Sequence, residues 1–378
     1  SNYTIRRIGL FGAEQTGGSG LQYSTANFFA LPGFVAGSSN RYFIGIPISG
    51  ANTWAYNPGT NTTVQTGLPG SAHTGSAGYQ FSVNNFQNDG GQVAGYSNRV
   101  IGVDGSNGAN TWAYHPGTGT TVQTGLNGLA HTGSSGYQSG VNNFQNVAGQ
   151  IAGASQRIAG VNGSNGENTW VYKPSTNTTV QTGLTGSAHT GSAGYQFSVN
   201  GFQNDAGHVA GYTYRVVGVN GSNGQNSWAY NPMTNTTVQT GLTGAAYTGS
   251  TGYQIDIHRF ENNAGQVAGI SQRVIGVNGF NGYDSWIYDP GTNTTAKTGL
   301  AGPVYTGSAG YQWSGINFQN NAGQVAGVSA RIGGVDVSYG FNTWVYDPVT
   351  RTTVQTGLTG AVHTNTNGYQ NSVNAFQN

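Results

Sequence analysis

Asn52-Thr-Trp-Ala-Tyr-Asn-Pro-Gly-Thr-Asn-Thr-Thr-Val-Gln-Thr-Gly-Leu68 decides the fold, because its pattern returns at a constant interval through the chain. Trp54, Trp112, Trp170, Trp228, Trp286 and Trp344 stand 58 residues apart, and Leu10, Leu68, Leu126, Leu184, Leu242, Leu300 and Leu358 keep the same step. A fixed period of this size marks a repeat architecture, in which each unit leaves an apolar face that only a neighbour buries. Function is therefore expected on a series of near-identical surfaces rather than in a single catalytic cluster.

Around the quoted stretch, each unit carries four short segments of strand character separated by Gly, Asn, Pro and Ser. In the second full copy they are 92–103, 110–114, 120–126 and 136–144. No segment shows a sustained 3.6-residue apolar period, and glycine is spread throughout, so helices are not expected. Pro58-Gly-Thr-Asn61 and Pro116-Gly-Thr-Gly119 suit hairpin turns between the second and third segments.

Repeated four-stranded meanders with short connections predict an all-β chain, a β-propeller of six four-stranded blades. A long β-solenoid is the competing fold, although its coils are usually shorter. Six periods account for 348 of the 378 residues, so residues 349–378 repeat the phase of residues 1–30 and one half-unit is surplus. A seven-bladed propeller with an incomplete blade is the alternative count. The N-terminal copy is the divergent one: Thr4-Ile-Arg-Arg-Ile-Gly-Leu10 stands where other copies read Thr-Val-Gln-Thr-Gly-Leu. Residues 1–30 are accordingly read as a strand-donating half-repeat and 31–378 as the repeat body. Ile5, Arg6, Arg7, Ile8, Leu10, Phe28 and Phe29 would carry assembly onto a neighbouring copy.

Composition narrows the function classes. Charged residues make up 6% of the chain and the net charge is +1, against about 25% charged in ordinary domains. Such a surface offers no footprint for nucleic acid and little electrostatic resistance to self-association. There is no cysteine, which excludes disulfides and thiolate metal sites. No apolar run approaches the roughly 18 residues that span a bilayer, so membrane insertion is not expected. No signal peptide stands at Ser1, as a mature N-terminus after cleavage would have it.

Val83-Asn-Asn-Phe-Gln-Asn-Asp-Gly-Gly-Gln-Val-Ala-Gly-Tyr-Ser97, then Asn110-Thr-Trp-Ala-Tyr-His-Pro-Gly-Thr-Gly-Thr120 and the step Gly125-Leu126, resemble the HAF extracellular repeat family. The match runs through nearly every unit, with Asn-Thr-Trp in place of that family's usual His-Ala-Phe. The resemblance implies a secreted or surface-exposed, propeller-like protein with no assigned enzyme activity.

Arg41, Arg99, Arg157, Arg215, Arg273 and Arg331 recur in phase without an acidic residue that keeps their step. They read either as guanidinium groups bonded to loop carbonyls between repeats or as a ring of cations for an anionic ligand. Trp-x-Tyr pairs such as Trp54 and Tyr56 point to one sheet face, either as packing between repeats or, if exposed, as platforms for sugar rings. The six tryptophans and six arginines are thus the ligand-binding candidates. His73, His131, His189 and His363 share a phase that is Tyr247 and Tyr305 elsewhere, which speaks for a hydrogen-bonding aromatic position over a metal ligand. Asn61, Asn177, Asn235 and Asn293 open Asn-Thr-Thr at hairpin tips, as turn residues or, in a eukaryotic secretory host, glycan acceptors. Acids such as Glu14, Asp89, Glu167 and Asp256 keep no repeated base beside them, so neither an enzyme nor a cofactor is expected. Two functions remain: an extracellular or cell-surface structural protein that self-assembles into a filament, sheath or lattice by strand exchange, and a multivalent lectin with glycan sites between repeats.

Overall fold

The computed structural model describes residues 6–42 and 50–374, so Ile5 of the assembly set lies outside the described residues. The chain divides into two compact units, Ser1–Thr182 and Gly183–Asn378.

In the first unit, three repeats follow one another: β1 (Ser24–Ala30), β2 (Phe34–Asn40), β3 (Gly50–Asn57) and β4 (Thr62–Gln65); β5 (Gln80–Gln87), β6 (Val93–Ile101), β7 (Gly105–His115) and β8 (Thr120–Gln123); β9 (Gln138–Gln145), β10 (Ile151–Ala159), β11 (Gly163–Lys173) and β12 (Thr178–Gln181). Each quartet is an antiparallel meander, as β5–β6, β6–β7 and β7–β8 illustrate. The second unit repeats the plan with β13 (Gln196–Gln203), β14 (Val209–Val217), β15 (Gly221–Asn231) and β16 (Thr236–Gln239), then β17 (Gln254–Glu261), β18 (Val267–Ile275), β19 (Gly279–Asp289) and β20 (Thr294–Lys297), then β21 (Gln312–Gln319), β22 (Val325–Gly333), β23 (Val337–Asp347), β24 (Thr352–Gln355) and the short β25 (Gln370–Asn371).

The connection between repeats corrects the predicted closure. The third strand of a repeat pairs in parallel with the first strand of the next, at Gly50–Gln80 and Gly108–Gln138 in the first unit and at Gly224–Gln254, Gly282–Gln312 and Gly340–Gln370 in the second. Glycine is required there: at Gly108 (φ +91°) an added Cβ would lie 1.8 Å from the Gln138 carbonyl oxygen. Hydrogen bonds thus stitch one repeat's sheet to the next instead of leaving each as a separate blade. The repeats are coils of a β-solenoid, which overturns both the closed six-bladed propeller and its seven-bladed alternative.

Burial follows the same one-step offset. In the first unit, Val93, Trp112 and Tyr114 of the second repeat pack on Ala36 and Ala55 of the first, with Phe28, Val64 and Leu68 at the margin. Ile151, Trp170 and Tyr172 sit likewise on Ala94 and Ala113. In the second unit, Val267, Trp286 and Tyr288 cover Ala210 and Ala229. Large residues on one face meet alanines on the next, so two near-identical sheets interdigitate at close packing.

The N-terminal half-unit occupies a seat on its own chain. Leu10 donates its backbone N–H to Ser39 Oγ at 3.2 Å, as Leu68 does to Ser97 at 2.9 Å and Leu126 to Ser155 at 3.0 Å. Gln15 bonds Asn52 where His73, one period on, bonds Asn110. A solenoid coil accepts a seventh half-unit that a closed ring would exclude. The strand count therefore no longer requires a second molecule, and Arg6, Arg7, Ile8 and Leu10 lie on the first repeat. Phe28 packs within the first unit's core, whereas Phe29 is 75% exposed.

At the β3–β4-type hairpins, Asn61, Asn177, Asn235 and Asn293 hold φ between 52° and 59°, and Arg351 takes the equivalent place at 56°. Asparagine tolerates this left-handed conformation and arginine pays for it. Arg351→Asn is expected to stabilise the second unit by about 0.5–1 kcal/mol, read as a rise in urea midpoint.

Candidate functional site

The two rows expected to bind ligand are spent on the fold. All six tryptophans are 0–1% exposed, so none offers a face to a sugar ring. Each lies against the glycine that its strand partner supplies, as Trp112 does with Gly95. The arginines tie repeats together: Arg99 Nε donates to Gly136 O at 2.9 Å and its Nη1 to Asn110 Oδ1 at 2.9 Å, and Arg41, Arg215, Arg273 and Arg331 bond Gly78, Gly252, Gly310 and Gly368 in the same way. Arg157 donates to Asn168 at 3.0 Å. A guanidinium that crosslinks loop carbonyls and amides has few donors left for an external anion.

Three histidines of the row, His73, His131 and His189, serve the same interior, while His363 is exposed. His131 Nε2 meets Asn168 and His189 Nε2 meets Asn226, both at 3.0 Å, while Tyr247 donates to Asp284 and Tyr305 to Asn342. Burial holds the pKa of His73, His131 and His189 below the usual value. Among the described residues, no group of three or more His, Asp or Glu is placed to hold a metal ion.

A groove does open between hairpin tips, where sequence reasoning had placed only turns. In the first unit, the tip after β7 (Pro116, Gly117, Thr118) faces the tip after β11 (Pro174, Ser175, Asn177) across a space of about 620 Å³, with His115 and Tyr172 at its base. Proline sets the turn and the left-handed Asn177 (φ 52°) closes it. Tyr172, at the end of the Trp-x-Tyr segment, is buried at 1% exposure, with its ring in the core and its hydroxyl beneath the floor of the groove.

Four polar groups there form one directed chain. Tyr172 OH donates to Asn177 Oδ1 at 3.1 Å, so it accepts from His115 Nε2 at 2.8 Å; His115 Nδ1 then accepts from Gln92 Nε2 at 3.4 Å. This ordering requires a neutral imidazole with the proton on Nε2. Burial agrees, lowering the pKa of His115 and pushing that of Tyr172 up to about 12. The remaining lining consists of hydroxyls and apolar carbon, with Thr118 and Thr120 sharing a 2.7 Å hydrogen bond, and it includes no Asp, Glu, Lys or Arg. Such a surface can bond hydroxyl groups in either sense and pack the carbon face of a ring; it holds no charged nucleophile or acid-base pair.

A groove of the same phase lies at the first repeat, bounded by Tyr56, Asn61 and Thr63 on one side and by residues 6–11 on the other, with a volume of about 480 Å³. Tyr56 OH donates to Asn61 Oδ1 at 3.1 Å, the counterpart of Tyr172 with Asn177. The tyrosine two after each Trp was legible as strand; in the repeats around the groove it is buried, Tyr114 at 2% and Tyr172 at 1% exposure, and the Tyr172 hydroxyl bonds residues that line the groove rather than facing out. A visible clue was the position after it, which varies as Asn57, His115, Lys173, Asn231, Asp289 and Asp347 within an otherwise regular repeat.

The fold and the groove define an all-β tandem-repeat protein. No protein-family model matches the chain, and no curated protein does. Among solved structures it is similar, over 88% of its length, to the β-propeller domain of the Trilobed protease from Pyrococcus furiosus, at 8% identity, 83% coverage of that chain and a TM-score of 0.31. Over 89% it is similar to Aleuria aurantia lectin (12% identity, 94% of that chain, TM-score 0.25), and over 85% to the polysaccharide lyase Uly1 (11%, 88%, 0.33). Likenesses at these scores carry no argument about closure or activity.

Proposed function

We propose that the protein is a non-catalytic repeat scaffold, extracellular or at the cell surface, that holds neutral, hydroxyl-rich glycans in the grooves between its hairpin tips. The observation that carries this reading is the uncharged groove at His115, a space of about 620 Å³ lined by the exposed hydroxyls of Thr118 and Thr120 and by His115 and Asn177, which the buried Tyr172 hydroxyl orients from beneath. A space of this size suits one or two sugar rings, and recurrence of the groove would give avidity through multivalency. Filament or lattice formation has no such support, because the half-unit that motivated it is seated on its own chain.

Glycan-array screening of the intact protein, followed by calorimetry on a neutral oligosaccharide hit, tests the reading. Tyr172→Phe keeps the ring but removes the buried hydroxyl that orients Asn177 and His115 at the groove, so affinity should fall about 3- to 10-fold; His115→Ala should weaken it further. Binding should stay flat from pH 8 to 6.5 and decline only in more acid solution, because the lowered pKa keeps His115 neutral above its ordinary 6.5. No hit among neutral glycans, or affinities that ignore both substitutions, would sink the proposal.

A further inference from the structure

The groove at the first repeat differs from the groove at His115 in charge. Arg6 and Arg7 line it, in the register that reads Val64-Gln65, Val122-Gln123, Val180-Gln181, Val238-Gln239 and Val354-Gln355 in five later copies and Ala296-Lys297 in the remaining one. Arg7 is held in place: its guanidinium carbon lies 4.2 Å from the centre of the Phe11 ring, and it donates to Gln22 Oε1. Arg6 is exposed and has no hydrogen-bond or ion-pair partner among the described residues. Among the described residues no carboxylate lines the groove, and Glu14, the acid of this half-unit, is paired with Arg41. Across from the arginines stand Tyr56, Asn61 and Thr63, the same ring, amide and hydroxyl types that serve the neutral groove.

We propose that this first groove binds an acidic saccharide, one bearing a carboxylate or sulfate group. The inference rests on the glycan reading and adds a charge selectivity that the groove at His115 lacks. A guanidinium presents paired N–H donors that match the oxygens of a carboxylate or sulfate, and such charge-assisted bonds outweigh neutral ones. Arg6, exposed and unpartnered among the described residues, supplies that fork, Arg7 adds a second positive charge fixed by Phe11, and the tyrosine, amide and hydroxyl opposite meet the sugar's own hydroxyls.

The test uses the whole chain, titrated by calorimetry with an oligogalacturonate, with an uncharged oligosaccharide of equal length, and with inorganic sulfate alone. The expected result is oligogalacturonate binding at least tenfold tighter than either control, weakening as salt rises. Arg6→Gln should abolish that margin and Arg6→Lys restore part of it, both with unchanged thermal unfolding because the side chain is exposed. Equal affinity for acidic and neutral sugars, or a margin that survives Arg6→Gln, overturns the inference and leaves the neutral-glycan reading standing. Sulfate binding as tight as the oligosaccharide overturns it too, reducing the groove to an adventitious anion site. Conversely, acidic binding lost on Arg6→Gln, with no neutral sugar bound and no response to His115→Ala, upholds the first groove while the neutral reading fails.

Discussion

Gly211→Ala should cost the second unit about 3 kcal/mol or more, seen as a large drop in its urea midpoint. Gly211 lies in β14 opposite Trp228 of β15. An added Cβ would stand 2.0 Å from the Val199 carbonyl oxygen and 2.5 Å from the Trp228 ring. Neither can yield, because the carbonyl belongs to the adjacent strand and the indole is fully buried. Overpacking of this kind usually costs about 1–3 kcal/mol where side chains give way, and here the obstacle is partly backbone. Gly218→Ala is the control: nothing lies within 4 Å of its Cβ and only its φ of +64° opposes the change, so about 1 kcal/mol is expected. Midpoints that agree for the two variants would show that the indole does not abut β14 as described.

Glu261→Gln is expected to stabilise the second unit in alkaline solution and to do little in acid. Both carboxylate oxygens are buried without a hydrogen-bond partner, and burial pushes the pKa up to about 8 from an ordinary 4.5. The folded chain therefore keeps a proton that the unfolded chain has lost above pH 4.5. Stability falls as pH rises from 4.5 to about 8 and is level beyond it, where both states are ionised. The gain from the amide should reach roughly 3–5 kcal/mol at pH 9 and vanish near pH 4. Sister repeats carry Gln87, Gln145, Gln203 and Gln319 at this place. Calorimetric unfolding at both pH values checks the prediction, and an equal shift at each would refute it.

A second departure in the same strand acts in the opposite sense. His258 stands where other copies have Asn84, Asn142 and Asn200, and burial, aided by the positive charge of Arg259, lowers its pKa to about 4. The unfolded chain gains its proton near pH 6.5 and the folded chain only near 4, so stability declines on acidification between those values. Asp256, where Ser82, Ser198 and Ser314 mark the common residue, is buried, with its pKa raised to about 6 even though Ser271 and Asn226 donate to it. The departures at Asp256, Glu261 and His258 together give this repeat a pH dependence that its sister repeats lack at these positions.

What the amino-acid order determined by itself was local or periodic. The 58-residue step, the four strands per repeat and the turns at the hairpin tips follow from residue types at fixed spacings, since turns and strand faces depend on neighbours a few positions away; the arginines were legible only as a periodic row, open between loop carbonyls and an anionic ligand. The tertiary structure alone decided whether the repeats close or advance. That depends on two parallel strand pairs between successive repeats, such as Gly108 with Gln138, whose partners lie about half a period apart. It also decided what lies beneath the groove: Trp112 and Tyr114 share a face by alternation and both are buried, and the contact of His115 with the buried Tyr172 hydroxyl joins residues 57 apart in the chain. Periodicity specifies what each copy is made of, while the angle at which one copy sits on the next creates the site.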